Sequence, residues 1–435
     1  MFSIPLQYRY AGLEHVGGRW RLYLVLPVMP VWRIRRLRAW GWSEARAAAA
    51  LFLLVLASDQ RQLSVPSGWQ ASLLSPSSGI FRIEQCGTVT VTALRARLKE
   101  APFEITPFSS DRRQGNTASI ERIVASFHEK TGRDVLGAVN GGFFDLKTGL
   151  PIGFLLRDGE MDFFNMPQGI QRSIVGFTRP EEGLPARVVI SSPHKMPKVY
   201  LDTLSRSGAR LSTMAVHHIN VAGGRHAFAL FTASYGAWLA TSPLGLYVVV
   251  ERATGAHPAL RVKSYHTGAG RLPIPSEGMI IALYGDSKVY ASRLPIGTAV
   301  RPRWTLPKSW AKKGVVHGLL AGPRLLERGH LAVTARQEHL SSLKSRDRII
   351  LGTTADGEAS LVWLHQNGIK LSLDFDEAAQ LLSSMGFVDA IALDGGGSRS
   401  LFAVARTAHT EERYLYKGRP VANALMLSLR PPPRA

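Results

Sequence analysis

The 435-residue chain has one cysteine, Cys86, which excludes a disulfide framework and a cysteine-rich zinc module. Its 41 glycines and 25 prolines follow no period, so a collagen-like array or a solenoid is excluded. It has no apolar run of about 20 residues, the length a bilayer-spanning helix needs. Acidic residues are scarce: 32 Asp and Glu face 53 Lys and Arg, a formal net charge of +21. With 45% hydrophobic residues the chain is no low-complexity tail. The length suits one large domain with an extension as well as it suits two or three domains. A basic body suits a polyanion such as nucleic acid, anionic lipid or a phosphate-bearing glycan, and charge alone does not choose among them.

Residues 1–57 contain eight Arg and two Glu. Arg33, Arg35, Arg36 and Arg38 precede the uncharged run Ala47–Ala57, and Val55-Leu56-Ala57 offers a cut before Ser58. A positive segment, a short apolar core and small residues make a signal peptide or an N-terminal anchor. The segment before the core is long, and a start at Met29 would give ordinary proportions. A buried helix is the alternative. The expectation is a periplasmic or secreted protein, with membrane contact only through this segment. Residues 58–80 read as a linker, rich in Ser, Gly, Pro and Gln. Residues 81–131 read as the N-terminal part of the body and 132–430 as the main domain.

From about Phe81, short apolar runs alternate with Gly and Pro turns. Strands are expected at 135–139, 227–232, 246–251, 279–284, 348–353, 361–364 and 390–393. Two helices are expected. In 119–130, Ile120, Ile123, Val124 and Phe127 share one face. In 374–385, Phe375, Ala378, Ala379 and Leu382 repeat the pattern, with Asp374 and Glu377 as a capping pair and Gly386 as the stop. The fold class is α+β, a strand-rich single catalytic domain with a mixed sheet and few helices.

Two glycine-rich turns stand out: Val135-Leu-Gly-Ala-Val-Asn140-Gly-Gly-Phe-Phe-Asp145 and Ala390-Ile-Ala-Leu-Asp394-Gly-Gly-Gly-Ser398. Each is an apolar strand ending in Asn or Asp, followed by glycines that let backbone N–H groups approach an anion. Tight turns with local side-chain bonds are the plainer reading. Neither turn is a dinucleotide fingerprint or a phosphate loop. His217-His218 lack metal-ligand spacing, and His317 and His365 stand alone. Trp304, Trp310 and Trp363 read as core. There is no Ser-His-Asp elbow and no zincin motif. No cofactor and no metal are called for.

Asn140-Gly-Gly-Phe-Phe-Asp145 and Leu393-Asp394-Gly-Gly-Gly-Ser398 resemble the Asn-x-Gly-Phe-Phe and Leu-Asp-Gly-Gly-Gly-Ser motifs of the phosphodiester glycosidase family. Ile219–Arg225, Phe228–Tyr235, Ala321-Gly-Pro-Arg324-Leu and Arg348-Ile-Ile-Leu-Gly352 resemble further segments in the same order. Asp347-Arg348-Ile349 stands where the family often has Pro-Arg-Thr, and Asn367-Gly368 where it has Asp-Gly. The resemblance covers roughly 132–429. It implies hydrolysis of the glycosidic bond in a sugar-1-phosphodiester of a surface or extracellular glycan. The alternative is a non-catalytic glycan-binding or exopolysaccharide-assembly accessory.

For such a reaction, Asp394 is the expected carboxylate near the anomeric carbon, with Asp145 its rival. Asn140 is expected to orient substrate or water. The amides of Gly395, Gly396 and Gly397 and the Ser398 hydroxyl are expected to cradle phosphate, with Arg348 as the first cationic partner and Arg172 and Arg324 after it. The expected partner is a phosphorylated glycan or sugar-1-phosphodiester. A nucleic-acid binder rests on charge alone, without a recognition motif.

Overall fold

The computed structural model describes residues 10–16, 19–25, 69–75, 80–85 and 89–429, apart from 99–102, 110–116, 167–168, 182–183, 192, 194–195, 222–223, 225, 254–258, 341–346, 367–372 and 407–410. The Arg33–Arg38 cluster, the apolar run at 47–57, Cys86, Arg225, Asn367-Gly368 and the proline tail lie outside the described residues.

Three large sheets carry the body. In the five-stranded sheet, Val135–Asn140 lies between Leu401–Arg406 and Ala424–Leu429. In the eight-stranded sheet, Asp347–Thr354 lies between Phe387–Ala392 and Ala359–Gln366. Within that sheet Val89–Ala96 pairs with Ala359–Gln366, so the N-terminal part shares a sheet with the C-terminal part. Trp69–Ser75, inside the stretch read as a linker, is a strand paired with Ile80–Gln85. The thirteen-stranded sheet is antiparallel except for one parallel pair, His218–Ile219 with Phe228–Thr232. Val199 and Met214 from one of its edges share a core with Ile174 and Val189 from the other, so this sheet wraps around its own interior.

Period-2 alternation sets the layers. On Asp347–Thr354, Ile349 and Leu351 face Val139, Leu401 and Leu425 of the five-stranded sheet. Ile350 faces the other way, onto the helix Phe375–Ser384. The helix Ile120–Thr131 covers the outer face of the five-stranded sheet through Ile120, Ile123 and Phe127. The result is a helix–sheet–sheet–helix sandwich flanked by the larger sheet.

Both expected helices form, each burying the apolar face its spacing predicted. Ser119 caps the first, and Gly132 ends it at φ +67°. Asp374 and Glu377 make a reciprocal capping box on the second, and Gly386 follows at φ +86°. A third, short helix, Lys308–Lys313, carries the fully buried Trp310, whose Nε1 donates to Ser191 Oγ. Among the described residues no helix is long and apolar enough to cross a membrane.

Candidate active site

The two facing sheets end together. The strand Val135–Asn140 and the strand Phe387–Ala392 release their glycine-rich turns at the same edge of the sandwich. Asp394 N donates to Gly141 O (3.1 Å), so the turns touch through their backbones. Asn140 is buried, and both ends of its amide serve the second turn. Its Nδ2 donates to the Asp394 carbonyl, and its Oδ1 accepts from Ser400 N at 2.9 Å. Asn423 clamps the first turn: its Oδ1 accepts from Gly142 N (2.8 Å) and its carbonyl from Gly141 N (3.0 Å). Asn140 thus positions the loop that carries Asp394.

Asp394 is partly exposed, yet burial dominates its carboxyl and pushes its pKa up to about 6. Hydrogen bonds from the Ser398 hydroxyl and the Gly395 amide, together with the charge of Arg419, pull it back. Two of the expected phosphate donors therefore act on the Asp394 carboxyl. Ser398 N is engaged within the 3-10 turn Gly396–Ser398, donating to Gly395 O at 3.1 Å. The amides of Gly396 and Gly397 have no hydrogen-bond acceptor among the described residues.

The cations at this turn are Arg419 and Arg399, which the sequence reading missed. A Cβ on Gly397 would stand 2.0 Å from Arg419 Nη2, so the guanidinium lies flat against the turn. Arg419 N donates to Gly397 O (2.8 Å), and the side chain is exposed. Arg399 Nη1 donates to Gly396 O (3.3 Å), and its Nε is 3.2 Å from Asp347 Oδ2. Asp347 also accepts from Trp363 Nε1 (3.0 Å) and from His365 Nδ1 (2.7 Å). The Tyr416 ring is centred 4.4 Å from that of Trp363. His365 therefore stands in a network beside the turn rather than alone. The missed signals were an Arg directly after the glycine signature and an Arg in the turn Lys417-Gly-Arg419-Pro420.

The other expected residues are engaged elsewhere. Arg348 leaves its strand on the face opposite the Ile349 side. Its Nε and Nη2 donate to Leu373 O (3.3 and 2.8 Å), and its guanidinium carbon lies 3.9 Å from the Phe375 ring centre. Burial lowers its pKa to about 10. Arg172 donates to Glu338 O and stands 5.4 Å over the Phe143 ring. Arg324 bonds Ile190 O (3.0 Å) and pairs with Glu327 at 2.7 Å. Asp145 is exposed and closes its own turn, accepting from the amides of Lys147 and Thr148 and from the Thr148 hydroxyl. Those bonds, with Thr148 foremost, hold its carboxyl below the usual range.

Among the described residues one group has metal-like spacing: Glu104, Asp158 and His317. His317 Nε2 is 2.5 Å from Glu104 Oε1, and its Nδ1 accepts from Asp158 N (3.1 Å). Arg179 bonds Asp158 and lies 3.6 Å from Glu104, so a guanidinium already takes the cation's place.

The sheets and the paired glycine turns define a class, a strand-rich α+β domain with a poised carboxyl held in a glycine turn. Residues 261–428 match the family model described as phosphodiester glycosidase, which bears out the motif resemblance over that segment. The Asn140–Asp145 motif lies outside the matched segment. No curated protein matches significantly. Among solved structures, a hypothetical protein from Synechocystis superposes with TM-score 0.59 at 22% identity over 81% of this chain. The chain spans 62% of that protein's length. A candidate exported protein from Burkholderia pseudomallei K96243 gives TM-score 0.54 at 17% identity, covering 80% of this chain and 74% of its own. These two likenesses establish the fold. The zebrafish N-acetylglucosamine-1-phosphodiester alpha-N-acetylglucosaminidase catalytic domain, auto-inhibited by its pro-peptide, aligns over 85% of this chain and 86% of its own. That alignment has 13% identity and TM-score 0.36, too loose a fit to carry a residue across.

Proposed function

We propose that the chain is an exported hydrolase that cleaves the glycosidic bond of a sugar-1-phosphodiester in a surface or extracellular glycan. The observation that carries this reading is the pairing of Asp394, with its pKa near 6, and the exposed Arg419 guanidinium on the same glycine turn. A carboxyl titrating near neutrality transfers protons with little mismatch. The leaving group is a phosphate monoester, already a stable anion, so strong acid assistance is less needed than with an alcohol. Asp394 then acts in its ionised form, activating water or attacking the anomeric carbon. Arg419 and the Gly396 and Gly397 amides hold the phosphate, and Arg399 adds charge beside them. Asn140 and Asn423 hold the two turns in register. The basic Arg33–Arg38 cluster followed by the apolar run at 47–57 supports export.

The test is incubation of the protein with a panel of sugar-1-phosphodiesters, read as free reducing sugar against sugar phosphate. Free sugar from wild type, with loss in Asp394→Asn and Arg419→Ala, supports the reading. Sugar phosphate would mean that the P–O bond is cut instead. No turnover with tight binding of phosphorylated glycan would make the protein an accessory.

A further inference from the structure

Glu338 is a buried carboxyl that the proposed chemistry does not use. It is 1% exposed and sits on the turn that follows the short strand His330–Leu331. Its Oε1 accepts from the hydroxyls of Ser173 (2.6 Å) and Thr334. Its Oε2 is enclosed and has no hydrogen-bond partner among the described residues. That oxygen lies against Gly322, where an added Cβ would be 2.1 Å away. Gly322 has φ +115°, so glycine is needed there for conformation and for space. The charged group facing Glu338 is Arg172, whose Nη1 donates to the Glu338 main-chain carbonyl rather than to the carboxyl. Arg324 turns away to Ile190 and Glu327, and Arg336 and His339 on the same turn are exposed.

This seat is bonded directly to the strand that delivers Asp394. Gly322 N donates to Ala392 O and Ala392 N donates to Pro323 O, both at 2.9 Å. Ala321 N donates to Ser173 O at 3.0 Å. Arg172 also lies over Phe143 of the first glycine turn. Glu338 is therefore linked through these contacts to both turns.

We propose that Glu338 is a positioning residue of this site that works as the neutral acid, its proton on Oε2, and that its ionisation disengages Gly322 from Ala392 and disables Asp394. The catalytic part of this inference rests on the hydrolase reading above. A hydroxyl without a partner costs far less than a bare buried charge. An ionised Oε2 must reach water, and Gly322 stands in the way. Burial raises the Glu338 pKa, in keeping with this state.

Two measurements test it. The first needs no activity: chemical unfolding of wild type and Glu338→Gln across pH. An acid kept neutral in the fold favours folding below its unfolded pKa, and that contribution is lost as pH rises through the folded value. The stability of wild type relative to Glu338→Gln should therefore fall with rising pH. A constant difference, or one that grows with pH, overturns the proposal. The second is the pH profile of kcat on a sugar-1-phosphodiester. Wild type should lose about tenfold per pH unit above an alkaline limb. Glu338→Gln, the isostere of the neutral acid, should keep neutral-pH activity and lack that limb. Ser173→Ala removes a donor that favours the carboxylate, so its limb should move to higher pH. A limb unmoved by both variants overturns the proposal. So does a Glu338→Gln protein that folds but is inactive at every pH. Should no substrate turn over, the hydrolase reading fails alone, and the unfolding series still decides the state of Glu338.

Discussion

Asp394 and Glu104 are both carboxyls taken out of water in this fold, and they end in opposite states. Glu104 is fully buried, but His317 Nε2 at 2.5 Å, Arg133 Nη1 at 2.9 Å and Arg179 Nε at 3.6 Å surround it. Burial is the largest single influence on it, yet those partners together hold its pKa below the ordinary value. Asp394 has one arginine and two neutral donors, and burial wins. Local counter-charge, rather than depth, decides which carboxyl is closed and which is poised. The linkage signs follow. Glu104 stabilises the fold above its unfolded pKa, and that contribution is lost as pH falls through the folded value. Asp394 does the reverse: its contribution is present below its unfolded pKa and lost as pH rises through about 6.

The largest expected effects would break this comparison if they were exchanged. Asp394→Asn should cut turnover by about two to four orders of magnitude. The same variant should be more stable than wild type at pH 8, on the order of 2 kcal/mol after allowance for partial exposure. Glu104→Gln should cost about 3–5 kcal/mol in urea unfolding, because it leaves Arg133, Arg179 and His317 short of their anion. Its activity per folded molecule should stay near wild type. A catalytic collapse in Glu104→Gln, or a large destabilisation in Asp394→Asn, would mean that the two roles have been assigned the wrong way round.

Much of this contrast was legible in the sequence on one side only. The apolar strands, the two amphipathic helices with the Asp374–Glu377 cap, and the two glycine turns are local patterns, and each formed where its residues placed it. Asp394 and Asn140 stood out in the sequence because each ends a strand before glycines, and the fold brings their two turns together. The arginines were misjudged because a side chain's direction depends on strand parity and on partners far along the chain. Arg348 sits beside the Asp394 strand yet bonds Leu373 O. Arg419 lies in an ordinary-looking turn, and only the return of the Ala424–Leu429 strand to the five-stranded sheet lays it on Gly397. Ser398 and Gly395 were expected to be phosphate ligands, and in the fold both act on the Asp394 carboxyl. Their bonds to Asp394 follow from the 3-10 turn, which no residue pattern announced. Glu338 gave no signal, since its importance lies in the missing side chain of Gly322.

The two arginines sharpen the comparison at intermediate size. Arg419→Ala should reduce turnover by about one to two orders of magnitude, from the loss of a charge-assisted phosphate contact of about 1.5–3 kcal/mol. It should also move the acid limb of the pH profile upward, because the Arg419 charge is one of the influences that lower the Asp394 pKa. Arg348→Ala should act chiefly on stability. It removes a buried guanidinium from Leu373 O and the Phe375 ring, and its acid limb should stay where wild type has it. A limb shifted by Arg348→Ala and not by Arg419→Ala would reverse the assignment.

The smallest effect isolates the turn itself. Ser398→Ala removes one neutral donor from the Asp394 carboxyl and leaves Arg419 and the Gly395 amide in place. A hydrogen bond to a charged group contributes about 1.5–3 kcal/mol. Most of that is recovered when water replaces the hydroxyl at a partly exposed site, so the limb should rise by less than about one pH unit. Turnover on the plateau above the limb should change little, since the ionised carboxylate is then present in both proteins. If the hydroxyl instead holds the substrate phosphate, the plateau falls and KM rises while the limb stays fixed. One pH series on Ser398→Ala thus separates a donor that tunes the carboxylate from a donor that grips the ligand.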